Sequence, residues 1–87
     1  MSSKMLNSVI IEGVVAVVEN KNSYYLCGHG FEVNVFDVKD RDIQAGLVLR
    51  VVGNVETITR DIQVINAEAV YDWFPGGDTV ERKVVKE

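Results

Sequence analysis

The run Gly46-Leu47-Val48-Leu49-Arg50-Val51-Val52-Gly53-Asn54-Val55 constrains the fold of this chain more than any other segment. It starts at one glycine and alternates for several residues. Leu49, Val51 and Val55 fall on one side, and Arg50, Asn54 and Glu56 on the other. A second glycine, Gly53, sits where a coiled strand can bend without a side chain to clash. Hydrophobic residues make up 47% of the chain and valine is the most frequent of them, a composition that favours strands over helices. The single proline is Pro75, so nothing before it interrupts regular pairing.

Four more strand-like runs accompany this one. Asn7 to Val18 reads as a long first strand. Val9, Ile11, Gly13, Val15 and Val17 form one set, and Ile10, Glu12, Val14, Ala16 and Val18 the other. Both sets are largely apolar, as expected of a strand shared between two sheet halves, with Gly13 as the bend. Glu19 to Ser23 is a turn by composition. Tyr24 to Gly28 is a second strand, joined through Gly28-His29-Gly30 to a third over Phe31 to Val38. There Phe31, Val33 and Val35 are expected to face the core, opposite Glu32, Asn34 and Phe36. Lys39 to Ala45 is expected to be a helix of one to two turns, capped by Asp37 or Asp40, anchored by Ile43 and ended by Gly46. The fourth strand runs from Leu47 to about Ile58, Thr59-Arg60-Asp61 turns the chain, and Ile62 to Tyr71 is the fifth.

This succession predicts an all-β domain, a five-stranded OB-fold barrel over residues 6–74 with a short helix between strands three and four. Residues 1–5 are expected to be disordered. Residues 75–87 are expected to be a C-terminal extension with the makings of a weak extra strand around Val80, Val84 and Val85. Eighty-seven residues are enough for one domain, with a modest core.

Charge and chemistry narrow the function. The net charge is −4, and Leu6 to Phe74 holds ten acids against five bases. A tight binder of phosphate backbone normally carries a basic stripe, and none is evident. Cys27 is the only cysteine and His29 the only histidine, too few for a metal site of three or four ligands. No nucleophile–base set or phosphate loop stands out, so neither an enzyme nor a cofactor is expected. With no apolar run of membrane-spanning length and no leader pattern, the expectation is a cytoplasmic protein without membrane contact.

Asn7-Ser8-Val9-Ile10-Ile11-Glu12-Gly13-Val14-Val15 resembles the opening strand of bacterial single-stranded DNA-binding proteins. Phe31-Glu32-Val33-Asn34-Val35-Phe36 resembles that family's third strand. Gly46 to Val55 resembles its fourth, with the family's glycine at Gly53, and Ile62 to Val70 its fifth. The likeness is one of order and pattern over roughly residues 6–72. It implies an OB-fold that binds single-stranded DNA without sequence preference, in replication, repair or recombination, as a homo-oligomer (dimer or tetramer). RNA is left open as the strand bound. The chain departs from the family in its short loops, Gly28 to Gly30 and about Thr57 to Asp61.

Binding a single strand takes aromatic faces for bases and cations for phosphates. Phe36 is the first candidate by phase, sharing its face with Asn34. Of the adjacent Tyr24 and Tyr25, one must face outward. Arg50 on strand four and Lys21 and Arg60 in loops are the candidate phosphate ligands. Trp73, after the last strand, is a further aromatic candidate that could instead cover a barrel end. Lys39 and Arg41 read as a solvated helix face, and Glu32 and Asp37 as repulsive to phosphate. The alternative is a protein-interaction module, a paralogue in which the acidic face has lost nucleic acid.

Overall fold

The computed structural model describes residues 8–59, 62–73 and 79–84. Six strands are present among them: β1 (Ser8–Asn20), β2 (Ser23–Gly28), β3 (Phe31–Phe36), β4 (Val48–Thr59), β5 (Ile62–Trp73) and β6 (Thr79–Glu81). The sheet order is β3-β2-β1-β4-β5-β6, and β3 also pairs with β5. That last pairing is parallel, from Asn34↔Val64 to Phe36↔Asn66, and it closes the first five strands into a barrel. Closure removes the long unpaired edges that a flat five-stranded sheet would expose. The order is consistent with an OB-like barrel. The short β6 pairs with the last three residues of β5.

The alternating residues of the strands fill the barrel. Val15, Tyr24, Leu26, Val33, Val35, Leu49, Val51, Ile65 and Val70 are buried, with Val9, Ile11, Val18, Ile43, Leu47, Val55 and Ala67 packed against them. Each aliphatic side chain fully buried contributes about 1.5–3 kcal/mol, so this interior outweighs any single surface ion pair.

Two glycines let the strands approach where the barrel coils. A Cβ on Gly13 would collide with the backbone carbonyl of Cys27 on β2. One on Gly53 would collide with that of Asn66 on β5. Gly53 also lies at a register shift between β4 and β5.

The outward and inward sets of β1 depart from strict alternation. The β1–β2 register shifts between Val15 and Val17 and again between Val18 and Asn20. The extra residue turns Val17 outward, where it is exposed, and brings Val18 against the core instead. Phe31 was expected inward with Val33 and Val35, but it is exposed. It begins β3 at the hairpin, and its ring lies against Gly28, where a Cβ would overlap it.

The expected helix over Lys39 to Ala45 is absent; the segment is irregular. Its capping residues act without a helix. The Asp37 carboxylate accepts the Lys39 N–H at 2.9 Å, and that of Asp40 accepts the Asp42 N–H at 3.3 Å. Such local bonds compete with helical ones. Asp42 then takes a left-handed φ of 56°, which a helix cannot continue through. Gly46, at φ 97°, closes a turn whose N–H donates to the Val15 carbonyl at 2.8 Å.

Arg41 also departs from expectation. It is not on a solvated face but 2% exposed, donating through Nε to Oδ2 of the equally buried Asp37 at 2.6 Å. Removing one member of such a pair strands a buried charge and costs about 3–5 kcal/mol.

Candidate nucleic-acid interface

The predicted site residues separate into those the fold gathers and those it disperses. β2 and β3 pair in the register Ser23↔Phe36, Tyr25↔Asn34 and Cys27↔Glu32. Because Tyr24 and Leu26 fill the core, Tyr25 faces outward with Asn34 and Phe36. Tyr25 and Phe36 therefore occupy diagonal positions on adjacent strands, about 7–8 Å apart in a regular sheet and within reach of aromatic side chains. Phe36 is 41% exposed and Tyr25 partly so. Between them Asn34 donates through Nδ2 to Ser23 Oγ at 3.1 Å and to the Tyr24 carbonyl at 3.2 Å. Its orientation is thereby fixed, leaving Oδ1 as the group for a ligand.

Lys21 stands at the same end. The turn of Lys21 and Asn22 joins β1 to β2 next to Ser23, the partner of Phe36. Asp37, directly after Phe36, is bound to that turn twice. Its N–H donates to the Asn22 carbonyl at 2.8 Å, and its carbonyl accepts from Asn22 Nδ2 at 2.7 Å. Lys39 follows two residues later and is exposed. Among the described residues all three arginines are in ion pairs, whereas Lys21, Lys39 and Lys83 are in none.

Two acids expected to oppose phosphate are placed so that they do so weakly. The Asp37 carboxylate is buried and compensated by Arg41. Glu32 lies four residues before Phe36, across from Cys27, roughly 13 Å away along the strand. Glu19 is the nearer acid, accepting from Ser23 Oγ at 3.0 Å.

Several sequence candidates fall outside this patch. Tyr24 is corrected outright: it is 1% exposed, a core residue with no face for a base. Among the described residues its phenol has no hydrogen-bond partner, and burial together with the nearby Asp37 charge pushes its pKa up, against a smaller opposing effect of Arg41. Arg50 faces outward but is committed to Glu12, its cross-strand partner. That pair is five residues along β1 from Val17, the neighbour of Tyr25, on the order of 16 Å. Trp73 lies at the end of β5 and lines a separate groove of about 480 Å³ with Val14, Cys27, Gly28, His29 and Val48. Arg60 lies outside the described residues.

Sequence reasoning missed the hub at Asp37. The signal was present as an acid and an arginine four apart, Asp37 and Arg41, but that spacing reads equally as an exposed helix pair. A second surface was also missed. Ile10, Val14 and Val17 of β1 are all exposed on the outside of the barrel. No family model, curated protein or solved structure matches this chain.

Proposed function

We propose that this protein is an OB-fold barrel that binds single-stranded DNA without sequence preference, through the outer face of β2 and β3. One observation carries the reading: Tyr25 and Phe36 stand diagonally on that face, with the unpaired Lys21 and Lys39 at its end. Bases stack on the two rings, each stack contributing about 1–3 kcal/mol, and the lysines meet phosphates. Since every base has a π-face, such a patch is sequence-tolerant. The family-like order of strands supports the same reading, and with it a role in replication, repair or recombination. With so few free cations among the described residues, binding is weak and its salt dependence shallow.

The test is fluorescence polarisation of labelled oligo-dT across a salt series. Saturable binding that weakens with salt and is further weakened in Phe36→Ala supports the reading. No binding at the lowest salt, where electrostatic attraction is least screened, rejects it.

A second reading has its own observation. The exposed Ile10, Val14 and Val17 give β1 an apolar outer stripe, and beside it the Arg50–Glu12 pair leaves no net charge. Such a stripe suits a protein contact, and a homo-oligomer formed through it is compatible with a free β2–β3 face. Loss of self-association in Val17→Lys, read by light scattering, tests this use.

A further inference from the structure

We infer that Asp37 is the positioning residue of the site, setting Lys21 and Lys39 beside Phe36. This rests on the reading of the β2–β3 face as the single-strand site.

Asp37 makes four hydrogen bonds, two to the β1–β2 turn and two within its own loop. Its backbone holds the Lys21-bearing turn through Asn22, by one bond in each direction. Its Oδ1 accepts the backbone N–H of Lys39. Its Oδ2 accepts from Arg41. Phe36 precedes it directly, so the backbone of Phe36, of Lys39 and of the Lys21-bearing turn is tied to one residue. A carboxylate buried to 2% exposure needs compensation, and Arg41 supplies it.

Arg41 is itself held by the C-terminal segment. Its Nη1 donates to the Arg82 carbonyl at 3.2 Å and lies 3.6 Å from Glu81 Oε2. Arg82 returns the contact, donating through Nη2 to the Asp42 carbonyl at 2.9 Å, and is anchored to Asp72 Oδ1 at 2.9 Å. The connection after β3 is therefore closed by β6, and the lysine geometry follows from that closure. An exposed Lys21 or Lys39 on a loose loop would spread its charge over many positions. Held by the hub, the backbone of both is anchored at the same end of the aromatic patch.

The experiment compares salt slopes of oligo-dT binding. Lys21→Ala and Lys39→Ala each lower the slope of log K against log salt by about 0.7, the value for one phosphate contact on a single strand. Asp37→Ala combined with Arg41→Met removes both buried charges together, so that neither is left unpaired, and removes the acceptor for Lys39. That variant is expected to lose the Lys39 increment while keeping the salt-independent binding due to Phe36 and Tyr25. Adding Lys39→Ala to it then changes nothing further, which is the non-additivity expected of coupled residues. Asp37→Asn with Arg41→Met keeps the Oδ1 acceptor and restores the slope.

Additive effects, with Lys39→Ala lowering the slope equally in the Asp37→Ala/Arg41→Met background, overturn the inference. So do unchanged slopes in the two single lysine variants, a measurement that stands even where the double variant does not fold. Absence of oligo-dT binding by the unaltered protein is a different result: it removes the site reading itself, and this inference with it.

Discussion

Arg50 on β4 donates through Nε to Oε2 of Glu12, its directly opposed residue on β1, at 2.6 Å. The pair is about one-third exposed on each side. It turns the cation most suited by phase to a phosphate into half of a cross-strand pair.

Arg50→Ala is therefore expected to cost about 0.2–1 kcal/mol of stability, the range for surface pairs, and to leave the oligo-dT salt slope unchanged. Arg50→Glu places like charges opposite one another and costs more than the alanine variant. Urea midpoints and polarisation on the same preparations measure both. A reduced slope in Arg50→Ala would move the strand's path across β1 to β4.

Tyr24→Phe is expected to hold or raise stability by about 1 kcal/mol, because it deletes a buried hydroxyl without a partner while keeping the ring. Tyr24→Ala instead opens a cavity, with a loss of about 3–5 kcal/mol as for other large aromatics. The phenol also sets an alkaline limit. Its pKa is raised in the folded state above the ordinary value of 10.0, so the unfolded chain releases this proton first. The associated stability is complete below about pH 10 and is lost as pH rises past it. Alkaline denaturation followed by circular dichroism should be shallower in Tyr24→Phe.

Phe36→Ala and Tyr25→Ala should each weaken oligo-dT binding by about 1–3 kcal/mol. Their effect on the melting temperature should be far smaller than that of removing a core residue, since Phe36 is exposed. Equal affinity in both variants and the parent, by polarisation, would show that the strand does not use this face.

Gly13→Ala and Gly53→Ala should each destabilise by about 1–3 kcal/mol through overpacking. The added methyl in each case meets a backbone carbonyl on the neighbouring strand, which cannot swing away as a side chain could. Thermal melts of the two variants test this. An unchanged midpoint would mean that the strands separate there without cost.

The strands were legible because their residues report them locally. Valine-rich alternation, the turn at Glu19 to Ser23 and the hairpin glycines Gly28 and Gly30 locate the strands within two residues of their observed ends. Period two was enough to place Val33, Val35, Leu49 and Val51 inward and Asn34 and Phe36 outward. It failed at Val17, because a bulge inserts one residue and inverts every side chain after it. It also could not choose between Tyr24 and Tyr25, since that depends on which face of β2 the barrel closes over.

By itself, then, the sequence determined an all-β chain, the number of barrel strands and most of the residues in its interior, all of which follow from propensity and alternation. Only the tertiary structure decided the parallel β3–β5 closure, which joins segments 30 residues apart. Only it decided that the segment after Asp37 is an irregular loop. There the carboxylate has a stronger partner in Arg41, and Arg41 in the backbone of Arg82, than a two-turn helix in solvent could provide. Pairings between distant residues depend on where the barrel brings them, and no local pattern carries that information.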